Sequence, residues 1–153
     1  MTFREAIQLT ASINQAYQPG LEALPKSDRN HISVQRPRSL SGSINLDLTL
    51  SKSEPSSHRW DYGIALKVGD GEKIYWVEIH PASTSEINTV IKKLTWLKQW
   101  LADAGGHLGF KNFSNREFIW ISSGKTALIP SGQQSKLLAS NGLRQVGDHL
   151  IIK

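Results

Sequence analysis

The chain has 153 residues, enough for one domain with a buried core, and carries 18 Lys+Arg against 13 Asp+Glu, a net charge of +5. It contains no cysteine, which excludes disulfides and thiolate metal sites. No apolar stretch approaches transmembrane length and residues 1–7 lack an apolar signal core, so a cytoplasmic protein without a membrane partner is expected. The positive balance permits a polyanionic partner without requiring one.

Thr2 and Glu5 fit a capping box, and Phe3, Ile7 and Ile13 to Tyr17 give a helical face running up to Pro19-Gly20. Glu5 therefore reads first as a cap and only second as an acid of a site. Lys26 to Ser43 is polar, basic and irregular. Ile44, Leu46, Leu48 and Leu50 then alternate with Asn45, Asp47 and Thr49, which predicts a half-buried strand over 43–50 with Asp47 on its polar side. Ser51 to Arg59 is a loop into R-W-D-Y-G-I-A-L-K-V, followed by G-D-G-E and K-I-Y-W-V-E-I-H-P. Asp70-Gly71 predicts a two-residue hairpin turn between strands over 60–68 and 73–80. In that register Gly69 pairs with Glu72 and Asp61 lies opposite His80. Asp61, Glu78 and His80 then share one face, and Tyr62, Ile64, Leu66, Val68, Tyr75, Val77 and Ile79 share the other.

After Pro81, the run from Ser83 to Glu86 offers N-cap chemistry. Ile87, Val90, Ile91, Leu94, Leu97 and Leu101 predict an amphipathic helix to about Ala104, ended by Gly105-Gly106 and packed on the apolar face of the meander. Trp96, Trp100 and Lys93 lie away from that stripe. Such an aromatic-basic patch stacks nucleic-acid bases, is covered by another layer such as the N-terminal helix, or forms a homodimer face. Phe118 to Ile121 reads as a strand with Lys125 just past it, Gln133 to Ala139 as a helix stopped by Asn141-Gly142, and Leu150 to Ile152 as a last strand. Ser122-Ser123-Gly124-Lys125 lacks the glycines of a phosphate loop. His31, His58, His107 and His149 lack metal-ligand spacing and read as surface residues.

An acid opening the second strand of a meander and E-x-H ending the third resembles the restriction-endonuclease-like, or PD-(D/E)XK, nuclease superfamily. The resemblance covers roughly Ile44 to Ser122; W-V-E-I-H-P is also similar to a run in bacterial proteins. It implies a mixed α/β (α+β) single domain over 1–153, ordered helix, antiparallel three-strand meander, helix, strand, helix, strand. It further implies Asp61 and Glu78 as ligands of Mg²⁺ or Mn²⁺, hard cations that take carboxylate oxygens, and a nuclease acting on phosphodiesters of DNA or RNA. His80 stands where the superfamily has lysine. Lys93 or Lys92, in the following helix, supplies a migrated positive charge, whereas Lys67 shares the face of Asp61 but sits near the turn. Arg36, Arg38 and Arg59 become phosphate contacts. The alternative implied by the lost lysine is a catalytically degenerate binding or assembly module on the same fold. The ordinary structural alternative has Asp61 capping a strand edge, Glu78 paired with a Lys or Arg, and His80 making a routine hydrogen bond.

Overall fold

The computed structural model describes residues 1–81, 86–102, 110, 113–123 and 132–153, with only the backbone of 132–135. The expected cap at Ser83 to Ser85, the Gly105-Gly106 stop, His107 and Lys125 lie outside the described residues. The fold is mixed α+β. Its centre is a five-stranded sheet of β2 (Leu40–Asn45), β3 (Tyr62–Val68), β4 (Gly71–Pro81), β5 (Arg116–Ser123) and β6 (Leu143–Val146), in that order. β2, β3 and β4 form the expected antiparallel meander, and β5 and β6 add parallel strands beyond β4. A second, two-stranded sheet pairs β1 (Ile32–Val34) with β7 (Leu150–Ile152). The helices are α1 (Phe3–Leu9), α2 (Lys26–Arg29), α3 (Leu46–Leu50), α4 (Glu86–Ala102) and α5 (Gly132–Ser140). Among the described residues, no helix is long and apolar enough to cross a membrane.

The capping box forms as read: Thr2 Oγ1 accepts from Glu5 N–H and Glu5 Oε1 accepts from Thr2 N–H. α1 nevertheless stops at Leu9 rather than reaching Pro19, and a 3-10 turn follows at Ala11–Ile13. Thr10 folds back on Ala6 O through its hydroxyl, competing locally with helix continuation.

Four further expectations are corrected. The strand expected over 43–50 is displaced to Leu40–Asn45, and Leu46–Leu50 is helical. Leu46 and Leu50 satisfy both a two-residue and a four-residue period, so alternation could not separate strand from helix. Asn45 decides: its Oδ1 accepts the Leu48 N–H and caps a turn of helix, leaving Leu48 exposed. The polar segment 26–43 is not irregular throughout. It contains α2, β1 and most of β2, with β1 stabilised by hydrogen bonding to a strand more than a hundred residues later.

The hairpin register is also shifted. Val68 pairs with Gly71 and Lys67 with Glu72, so the turn is Gly69-Asp70. Gly69 has φ +58°, the left-handed conformation that glycine adopts without a Cβ penalty. The shift is by two residues. Because side chains alternate with period two, every residue keeps the face assigned to it.

Both faces of the sheet are buried, and α4 packs on the face opposite to the one expected. Ala65, Ile74, Trp76, Phe118 and Trp120 meet α1 and the α4 stripe of Ile87, Val90, Leu94, Leu97 and Leu101. Tyr62, Ile64, Leu66, Tyr75, Val77, Ile119 and Ile121 are covered instead by Leu24, Ile32, Leu150 and Ile152. The polar residues of the first face sit at its two ends, Lys67 and Glu72 beside the turn and Asp61, Glu78 and His80 at the other. Glycine makes room there: a Cβ on Gly63 would lie 2.6 Å from the ring of Trp76, its cross-strand partner. The placement of α4 brings its edge over Asp61 and Glu78.

Candidate functional site

Asp61 enters β3 just after the fully buried Trp60, and Glu78 lies in the last third of β4. Two reciprocal contacts bind them across the hairpin. Glu78 Oε1 accepts the Asp61 N–H at 3.1 Å, and Asp61 Oδ2 accepts the Ile79 N–H at 3.0 Å. Each carboxylate therefore spends one oxygen on fixing backbone and keeps the other for the site. Those remaining oxygens face the ammonium of Lys93, which contacts Asp61 Oδ1 at 3.5 Å and bonds Glu78 Oε2.

His80 follows on the same face. Its Nδ1 lies 3.5 Å from Glu78 Oε2 and its Nε2 bonds Glu86 Oε2 in the first turn of α4. The His80 carbonyl accepts the indole N–H of Trp120 at 3.0 Å, tying the end of β4 to β5. Four residues read from sequence, Asp61, Glu78, His80 and Lys93, thus meet at one locus. Glu86 is the member that sequence reasoning missed, having been read as helix-start chemistry. An acid in the first turn after a strand that ends in His is the signal that pointed to it.

Burial sets the electrostatics. Glu78 is completely buried, and the side chains of Asp61, Lys93 and His80 are 17%, 14% and 22% exposed. Burial, then the charge of Glu78, pushes the Asp61 carboxyl from about 3.8 up to about 7; Lys93 offsets only part of this. His80 is raised above the ordinary imidazole value by its bond to Glu78, against the opposing effect of burial, with Glu86 adding to the rise. For Lys93, burial is the largest single influence and acts to lower it. The charges of Glu78 and Asp61 together outweigh that, so the ammonium is held above its usual range.

Three carboxyls, Asp61, Glu78 and Glu86, thus meet the Lys93 ammonium and the His80 imidazole. Burial and, after it, the neighbouring Glu78 carboxylate disfavour the ionised form of Asp61 where it stands. The donor set fits Mg²⁺ or Mn²⁺, which take one or two carboxylates and fill the rest of their shell with water and phosphate oxygens. Among the described residues, no group of three or more His, Asp or Glu side chains is arranged to hold a metal by itself.

The remaining candidates lie elsewhere. Asp47 sits in α3, half-exposed, and pairs with Arg59 Nε at 3.1 Å. Arg59 also donates from Nη1 to Glu54 O, so its guanidinium is spent on the 51–59 loop. Arg36 and Arg38 are exposed, but precede the end of β2 that lies opposite Leu66, remote from Asp61. Lys67 and Lys92 are exposed. Glu5 is committed to its cap, and hydrogen bonds from the Thr2 N–H and then the Thr2 side chain hold its carboxyl below the usual range. His58 and His149 are exposed and His31 half-buried. Trp100 is buried within the chain against Phe110, at 5.9 Å between ring centres, while Trp96 remains partly exposed. Comparison of the chain with protein-family models, curated proteins and solved structures gave no match.

Proposed function

We propose that this chain is a divalent-metal-dependent phosphodiesterase of the PD-(D/E)XK type, a nuclease or a protein descended from one. One observation carries the proposal: Lys93, arriving from α4, meets both Asp61 and Glu78. In this reading the lysine lost at position 80 is replaced from the next helix. The order helix, antiparallel meander, helix, parallel strand supports it. Mg²⁺ or Mn²⁺, when bound, would polarise the scissile phosphate and acidify a water. Asp61 and Glu78 would hold it through Oδ1 and Oε2. The Lys93 ammonium neutralises charge developing on the phosphate oxygens, acting from a site where low dielectric strengthens it. His80, its pKa raised by its bonds to Glu78 and Glu86, sits at the same edge as a group that can take up or release a proton.

The closed ion pair of Lys93 with Glu78 specifically favours a second reading, a degenerate binding or assembly module whose carboxylates are already neutralised. Cleavage assays on single- and double-stranded DNA and RNA, with Mg²⁺, Mn²⁺ or EDTA, separate the two. A live site gives metal-dependent cleavage that falls to background in Asp61→Asn and Glu78→Gln. No cleavage of any substrate, with no metal binding, leaves the module.

A further inference from the structure

The 51–59 loop and the outer face of α4 border an open hollow of about 370 Å³, whose walls include His58, Ile91, Lys92, Trp96 and Gln99. Its size is at the lower end of the range that holds a small organic ligand. Trp96 supplies the flat apolar wall. Its other neighbour is Trp100, stacked at 6.0 Å between ring centres and 21° from parallel. The Trp96 indole N–H is held at 3.1 Å by Glu54 Oε1, and the same oxygen accepts from Ser57 Oγ at 3.1 Å. The ring is therefore fixed in position before anything stacks on it, which removes an ordering cost from binding.

Glu54 is turned to the Trp96 indole N–H and the Ser57 hydroxyl, and the charged side chain on the rim itself is the exposed Lys92, next in sequence to Lys93 of the acid cluster, in a chain of net +5. His58 is three residues before Asp61, so the loop spans at most about 11 Å between hollow and acid. A strand whose phosphate lay at Asp61 and Glu78 would place a neighbouring base within reach of Trp96.

We infer that this hollow is a subsite for one unpaired nucleobase of a single-stranded nucleic acid, stacked on Trp96 with its backbone phosphate near Lys92. The inference rests on the nuclease-type reading of the acid cluster and adds to it the substrate class. A paired base cannot enter edge-on; the subsite selects single strands, flipped bases or frayed ends over closed duplex. Base–aromatic stacking of this kind corresponds to roughly 5- to 150-fold in affinity per base.

The test is fluorescence anisotropy of labelled single-stranded DNA, single-stranded RNA and a closed hairpin duplex, in EDTA so that cleavage plays no part. At least one single strand should bind about tenfold or more tightly than the duplex. Trp96→Ala should remove that preference. Thr95→Phe, an exposed helical position lining the hollow, should do the same by filling it, and decides the matter if Trp96→Ala fails to fold. Lys92→Ala should reduce the salt slope by about one. Equal binding of strand and duplex, no binding to either, or wild-type affinity in folded Thr95→Phe and Trp96→Ala would overturn the inference. Because no metal is present, absent cleavage would not count against it. Intact cleavage without stacking would remove this inference alone.

Discussion

Lys93 donates its ammonium to Glu78, a carboxylate with no solvent exposure, from a helix that begins eight residues after it. That contact joins stability to function, because the charge that makes the site chemically useful is also the charge the core must tolerate.

Removing the cation should therefore unfold the protein readily. Lys93→Met leaves the buried Glu78 with only the Asp61 N–H and His80 beside it, at a cost of about 3–5 kcal/mol. Urea unfolding should show this loss, and the double variant Lys93→Met/Glu78→Gln should recover much of it. Equal loss in the single and double variants would mean that packing of the lysine stem, not charge, is what counts.

The pH dependence has a definite sign. Asp61 is raised to about 7 in the folded chain, so between about pH 4 and 7 the folded state binds more protons than the unfolded one. Its contribution is fully present below about 4 and is lost as pH rises through 7, a change on the order of 2–4 kcal/mol. His80, also raised, acts in the same direction near and above its ordinary range. Urea midpoints across pH 4–8 should fall more steeply for wild type than for Asp61→Asn. Saturating Mg²⁺ should flatten the wild-type slope, since the metal binds the ionised carboxylate.

If Lys93 substitutes for the lysine missing from β4, an ammonium returned at position 80 should compensate for its loss. Cleavage should fall to background in Lys93→Ala and recover in part in Lys93→Ala/His80→Lys. No recovery in a folded double variant would assign Lys93 to the core alone.

Gly63 offers a purely structural check. A Cβ there would lie 2.6 Å from Trp76, so Gly63→Ala should destabilise by about 1–3 kcal/mol. Truncating the ring as well, in Gly63→Ala/Trp76→Leu, should cost less than the two changes summed.

The hairpin and its acid cluster were legible because they depend on parity. The turn lies one residue before Asp70-Gly71, which moves each cross-strand partner by two, yet Asp61, Glu78 and His80 still share a face, since an even shift of pairing preserves it. Strand versus helix at Leu46–Leu50 was not legible, because leucines four apart serve both periods and the Asn45 cap decides between them. The side taken by α4 was hidden for another reason. Trp76, Ile74 and Ala65 make the acid-bearing face apolar away from its end, while the other face is filled by β1 and β7, a pairing across more than a hundred residues. Placing Lys93 with Trp96, away from the stripe, was too coarse, because helical phase separates the two lysines. At about 100° per residue Lys93 flanks the buried stripe, whereas Lys92 points well away from it.

The central claim, that Asp61 and Glu78 form a divalent-cation site, is tested most directly by isothermal titration calorimetry of Mn²⁺ into the metal-free protein at pH 8, above the Asp61 transition. One ion should bind saturably to wild type, and that binding should be lost in Asp61→Asn and in Glu78→Gln, with circular dichroism showing both variants folded. No binding to wild type, or equal binding in the two variants, would contradict it.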